Sequence, residues 1–303
     1  MRVLVTGAGG HLGRRVVERL ESAGHDVVGL SRRPGPRAGW IACDLGAEGD
    51  LARAAASWGA IEVVAHLAAH VPEDTARNAP EDFYATRRAN ALGTAALLHA
   101  LAVAQELRAV VYASTFEVYG PPSRCPIDEG HPTLPQNYYG ASKLAGEKYL
   151  SLFAADRRLP CASLRFPAIY GRGDPVRRAL GNFIRAAAAG GDLVIHGDGL
   201  DRRDLVEAGD AAEAVVLSIE RRADGVFNVG TGRGFTIREM AEAVQKVGGE
   251  TSRLVHRERV RPRVDFALDA SKAHAILGWT PRVRLEEGIR DQLEGVRSGA
   301  ASS

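Results

Sequence analysis

Short apolar runs rich in β-branched residues alternate along the first part of the chain with longer stretches of helical period. Residues 3–6, 26–31, 40–43, 62–66, 109–114 and 161–166 read as strands, and 11–23, 50–58, 80–106 and 139–155 as the helices between them. The strand runs are apolar at consecutive positions, so both faces are covered. That pattern predicts an α/β chain with a doubly wound parallel sheet and helices on each side. Beyond residue 166 the pattern loosens: helix 179–189, short strands 193–195 and 205–206, helix 210–221, one more core strand at 226–229, then helices 236–247, 271–277 and 285–297. The expected organisation is a dinucleotide-type domain over 1–170, to which 206–230 returns, and a smaller C-terminal substrate lobe built from 171–205 and 231–303. A fold of this kind binds ligands at the carboxyl ends of its strands.

Composition narrows the classes of function. A chain of 303 residues with 45% hydrophobic side chains can bury a full core. Its net charge of +2 leaves no basic surplus for tracking phosphates, so nucleic acid is not an expected partner. Cys43, Cys125 and Cys161 are widely spaced, without a CxxC pair, and suggest neither a disulfide framework nor a zinc site. His66 and His70 straddle a strand end with no third ligand nearby, so no metal is expected. No apolar run approaches a membrane span, and the chain enters a strand directly after Met1; a cytoplasmic protein without membrane contact is expected.

Directly after the first strand comes Thr6-Gly7-Ala8-Gly9-Gly10-His11-Leu12-Gly13, which runs into an amphipathic helix. Strand, glycine loop and helix in that order suit a dinucleotide. Glycines allow the tight turn and a close backbone approach to a pyrophosphate, while the helix start offers unpaired N–H groups. Gly7, Gly10, His11, Leu12 and Gly13 are the expected contacts. Where the second strand usually ends in an acid for the adenosine ribose, this chain has Ser31, Arg32 and Arg33. A hydroxyl and two guanidiniums favour NADP through its 2′-phosphate, with NAD as the alternative. Asp44 is placed on the adenine side.

Tyr139 and Lys143 stand at i and i+4 near the start of a helix, on one face. A phenol with a pKa of about 10 is a poor base at neutral pH, and a nearby cation favours its ionisation. These motifs, with Val63 to Ala69, Asn90 to Thr94, Ser114 to Gly120, Leu164 to Phe166, Gly197 to Gly199, Arg203-Asp204, Phe227 to Gly230 and Leu277 to Pro281, cover almost the whole chain. Together they resemble an extended short-chain dehydrogenase/reductase of the nucleotide-sugar epimerase/dehydratase family, with a Rossmann fold.

The resemblance implies an enzyme acting at C4 of a nucleotide-linked sugar. Thr115 would hydrogen-bond the reacting oxygen, Tyr139 would move its proton, and Lys143 would hold the nicotinamide ribose and assist the phenol. It adds Leu45, Leu67, Ala68, Ala69 and Asn90 around the cofactor. Asn182, Phe183, Arg203 and Arg261 are implied for the nucleotide substrate. It also implies a homodimer through the helices near 80–106 and 139–155.

Some positions depart from the pattern. Phe166-Pro167-Ala168 lacks the customary Asn, and Arg261-Pro262-Arg263-Val264-Asp265 has its acid displaced. Glu117 is similar to the Glu of 4,6-dehydratases and uronate decarboxylases, where it acts beyond C4, but its neighbour Phe116 cannot donate a proton. The basic turn tilts the expectation toward a 4-ketoreductase, ahead of a 4-epimerase and a dehydratase or decarboxylase using Glu117. A noncatalytic NAD(P)-sensing regulator is the reading from another class, disfavoured by the intact Thr115, Tyr139 and Lys143.

Overall fold

The computed structural model describes residues 1–33, 35, 39–47, 49–175, 178–259 and 262–299. Among the described residues, the central sheet has seven strands, all parallel: β1 (Arg2–Thr6), β2 (Asp26–Ser31), β3 (Ile41–Ala42), β4 (Val63–His66), β5 (Ala109–Thr115), β6 (Cys161–Phe166) and, far along the chain, β11 (Gly225–Asn228). Their order across the sheet is β11-β6-β5-β4-β1-β2-β3. The order reverses between β1 and β4, and the crevice opens there, at the strands' carboxyl ends.

Alternating residues explain both helical layers. Val3, Val5, Val63, Ala65 and Val111 point to one side, into a core shared with α1 (His11–Ser22) and the alanine-rich α7 (Ala208–Glu220). Leu4, Val64, Val110 and Tyr112 point to the other, where α2 (Asp50–Ala55), α4 (Gly93–Leu101) and α5 (Tyr138–Arg157) cover them. With both faces buried, the strands have no polar alternation to keep.

The expected single helix over 80–106 is three pieces: α3 (Pro80–Thr86), a π-helical turn at Arg87–Leu92, and α4, which stops at Leu101. The wide turn carries Asn90, whose side chain is tied to His70 and Ser142. Such turns accommodate a side chain that must reach inward, a demand that hydrophobic periodicity does not report.

The smaller lobe is built on α6 (Ala179–Ala188), α8 (Ile237–Gly248) and α9 (Leu285–Arg297), which share a core of their own with β8 (Leu193–His196). Short pairs complete it: β7 (Ala168–Tyr170) with β10 (Leu205–Glu207), β9 (Arg202–Arg203) with β12 (Phe235–Thr236), and β8 with β13 (Leu254–Arg257). One segment assigned to this lobe from sequence belongs elsewhere. Ala273, Leu277 and Trp279 pack into the core beneath the sheet, and the Trp279 indole donates to the Asp210 carbonyl at 2.8 Å.

Helix α5 lies unusually close to β5. A Cβ on Gly146 would fall 2.2 Å from the Tyr112 hydroxyl, and one on Gly140 2.4 Å from the Glu117 carbonyl. These two bare positions let the first turns of the helix, which carry Tyr139 and Lys143, settle against β5 and the turn that follows Thr115.

Candidate active site

The loop from β1 to α1 lines a cavity of about 1170 Å³. Gly7 has φ +70°, and a Cβ there would come within 2.8 Å of the Ala68 backbone. The Gly10 amide donates to the Gly7 carbonyl at 2.8 Å. Gly10 caps α1 without a side chain, so the helix start keeps its N–H groups for an anion. Gly13 lies under the loop, where a Cβ would fall 2.0 Å from the Gly7 carbonyl oxygen. Leu12 packs against the core. His11 lines the cavity, its imidazole pushed down to about 4 by burial and then by Arg15.

Ser31, Arg32, Arg33, Asp44, Leu45, Leu67, Ala68 and Ala69 line the same cavity. The Ser31 hydroxyl donates to the Arg33 carbonyl at 2.5 Å, bracing the basic turn on itself. Asp44 pairs with Arg88 at 3.1 Å. Asn90, expected to touch the cofactor, is buried behind the wall: it accepts from the His70 amide at 2.7 Å and donates to the His70 carbonyl and the Ser142 hydroxyl, each at 3.0 Å. Its place is that of a support for the 67–70 loop. The glycine cradle, the uncapped helix and the cationic far end fit a dinucleotide.

A second cavity of about 1520 Å³ opens between the lobes. Phe116, Glu117, Asn137, Tyr170, Arg178, Asn182, Arg203 and Phe266 are among the residues that line it. Phe183 is not among them: it is 4% exposed, in the core of the smaller lobe, where an apolar helix face puts it. Arg261 lies outside the described residues. The displaced acid Asp265 is held by Arg263 through bonds of 3.0 and 2.8 Å.

Thr115, Tyr139 and Lys143 are buried and line neither cavity themselves, whereas the nearby Phe116, Glu117 and Asn137 line the larger one. Thr115 Oγ1 accepts from the Glu117 amide at 3.3 Å. Asn137 caps α5 by accepting from the Gly140 amide at 2.7 Å, which sets the register of Tyr139. Its position directly before the helix is the signal by which an N-cap could have been found in the sequence.

The expected electrostatics of Tyr139 are reversed. Burial holds its phenol well above the ordinary value, the Glu117 carboxylate adds to that, and the Arg178 guanidinium opposes both. Lys143 is itself pushed down to about 7 by burial, with Glu147 opposing. Its Nζ rests 4.0 Å from the centre of the Tyr112 ring. Spacing along a helix shows which groups are neighbours but not how far water has been removed from them.

Glu117 is 8% exposed and both its oxygens are engaged. Oε1 accepts from Thr75 at 3.3 Å and lies 3.7 Å from Arg178; Oε2 accepts from Asn137 at 2.5 Å. Phe116 stacks on Phe266 with ring centroids 4.1 Å apart. His66, considered in the sequence only as a metal ligand, joins Thr6 at 2.7 Å to Thr94 at 2.8 Å, and Thr6 in turn accepts from the Ala68 amide at 3.2 Å. That bridge fixes the two loops that flank the crevice.

A profile of the NAD dependent epimerase/dehydratase family matches residues 3–230. The chain belongs to this family. It is 35% identical to a UDP-glucose 4-epimerase of Mycolicibacterium smegmatis, over 98% of this chain and 99% of that protein. It also superimposes on a Thermus thermophilus UDP-glucose 4-epimerase in complex with NAD, with a TM-score of 0.86, 32% identity and coverage of 98% and 99%. MoeE5, in complex with UDP-glucuronic acid and NAD, gives a TM-score of 0.86 at 31% identity, covering 99% and 100%. The family is NAD-dependent, and both of these solved structures hold NAD.

The His66 bridge predicts a pH dependence. Burial, then Lys143, lowers its pKa from 6.5 to about 3, so the unfolded chain takes up the proton first as pH falls. This contribution to stability is fully present above pH 6.5 and lost progressively toward about 3. Urea midpoints of wild type and His66→Asn, measured between those limits, should show a shallower acid decline in the variant. Parallel declines contradict the assignment.

Proposed function

We propose that this chain is a UDP-hexose 4-epimerase in which Tyr139 receives and returns the proton of the sugar C4 hydroxyl. The observation that carries the reading is the likeness to a UDP-glucose 4-epimerase across essentially both full lengths, joined to the burial of Thr115 at the end of β5 and of Tyr139 and Lys143 at the start of α5. Thr115 would hold the C4 oxygen, and Lys143 would orient the ribose of the dinucleotide. Gly7, Gly10 and the start of α1 would receive its pyrophosphate. A bound NAD would supply the hydride acceptor, on a pyridinium ring that carries positive charge. Positive charge favours ionisation of the buried Tyr139 phenol, whose phenolate is the form that can accept the C4 hydroxyl proton, and Arg178 already acts in that direction. Arg203 and Asn182 would meet the nucleotide diphosphate.

Glu117 supports this reading over a dehydratase or decarboxylase. Its carboxylate is spoken for by Thr75, Asn137 and Arg178, which suits a fixed hydrogen-bond acceptor better than a group that exchanges protons. A 4-ketoreductase using NADPH is the second reading, favoured by the Ser31, Arg32 and Arg33 turn at the cofactor cavity.

Two predictions follow from the first reading. Wild-type protein given UDP-galactose should form UDP-glucose, and Tyr139→Phe should lower kcat by about 10²–10⁴-fold while dinucleotide affinity changes little. Full turnover in that variant removes the proposed acid/base. Tyr84, Leu92, Tyr149 and Leu152 are exposed apolar residues on α3, the π-helical turn and α5. We infer a homodimer through this face. Light scattering should give a mass near twice the 32.3 kDa of the chain, and Leu152→Arg should give the monomer. A wild-type monomer at micromolar concentration contradicts the inference.

A further inference from the structure

The connection between β2 and β3 carries an indole that no motif accounts for. Trp40 immediately precedes β3, yet its ring lies back over β2. A Cβ built on Gly29 would fall 2.8 Å from the indole, one on Gly35 1.7 Å from it, and one on Gly9 of the dinucleotide loop 3.6 Å from its edge. Three glycines from three segments thus cradle one side chain. A methyl group at Gly29 or Gly35 would displace it.

The same point above Gly9 lies 3.7 Å from Ser31 Oγ. Gly29 and Ser31 are two residues apart on β2 and share a face. The indole therefore fills the space between the glycine loop and the root of the basic turn, and it lines the cofactor cavity together with Ser31 and Arg33. Its far side packs on the core under the sheet. Because Gly35 closes over the ring, the ring's thickness sets how far the Ser31, Arg32 and Arg33 turn stands from the loop. A rigid aromatic with two side-chain torsions is a good spacer for that purpose.

We propose that Trp40 is the positioning residue for the adenosine ribose: its indole edge walls the ribose subsite and sets the height of the basic turn, and so sets the discrimination between a 2′-hydroxyl and a 2′-phosphate. The proposal rests on this cavity being the dinucleotide site, and it holds whichever of the two dinucleotides the wild type prefers. Shrinking the side chain lets Gly35 and the turn settle toward Gly29, moving both guanidiniums.

The test is a fluorescence titration of the full-length protein with NAD and with NADP. Trp58 and Trp279 are 6% and 1% exposed in the core and provide a constant background. Wild type should show quenching of tryptophan emission on binding. Trp40→Phe should lose that quenching while both Kd values stay within about threefold. Trp40→Ala should change the ratio of the two Kd values by about tenfold or more, with affinity for UDP unchanged. Gly35→Ala, which displaces the ring without removing it, should shift the ratio as well and serves if Trp40→Ala does not fold. A ratio within about twofold of wild type in the folded variant overturns the proposal, as does quenching that persists in Trp40→Phe. Arg32→Ala with Arg33→Ala, run alongside, judges the 2′-phosphate reading separately: an equal loss for both dinucleotides removes that reading and leaves the Trp40 result to stand or fall by its own ratio.

Discussion

Everything at the site hangs from one buried ion pair. Glu147 of α5 and Arg165 of β6 each expose 5% of their side chains and meet through bonds of 2.9 and 2.6 Å. The same carboxylate accepts from Ser114, the neighbour of Thr115, at 2.5 Å. The Arg165 guanidinium lies 4.5 Å from the Tyr119 ring, and the Tyr119 hydroxyl donates to Asn228 of β11 at 2.6 Å. Removing one member of such a pair leaves a buried charge uncompensated, at a cost of about 3–5 kcal/mol. Helix α5 and strands β5, β6 and β11 are therefore locked into one unit. Since α5 carries Tyr139 and Lys143 and β5 ends in Thr115, the chemistry inherits that rigidity.

The second consequence is electrostatic. Burial is the dominant influence on Lys143, with Glu147 opposing, and its ammonium drops to about 7. His66 and Tyr139 are held in their neutral forms by the same loss of water. The protein builds a dry, weakly charged floor, while its arginines stand further out along the two cavities. On the proposed reading, a diphosphate arriving between the lobes would meet Arg203, and the reacting carbon would rest over groups whose protonation responds to the charge brought in.

Much of this was legible in the residues. The glycine loop after β1 and strands apolar on both faces point to the doubly wound sheet, and the spacing of Tyr139 and Lys143 gains its meaning from standing in one chain with that loop. The rest depends on contacts between distant segments. The π-helical turn at Arg87–Leu92 answers to Asn90 reaching His70, and Trp279 joins the core under the sheet because Asp210 receives its indole. Phe183 reads equally as a ligand contact or as core until the packing of α6 decides it. Arg178 and Trp40 carry no motif. Their surroundings, Glu117 in one case and three glycines in the other, come together only in the folded chain.

The proposed epimerisation requires that one C4 hydrogen leave the sugar and return to it within a single visit to the site. Its most direct test is UDP-galactose deuterated at C4, incubated with the purified protein and no added dinucleotide, with the product read by NMR. A 4-epimerase gives UDP-glucose that keeps the deuterium at C4. Conversion that waits for added NADPH, and a product carrying the reductant's hydrogen in place of the label, would contradict it.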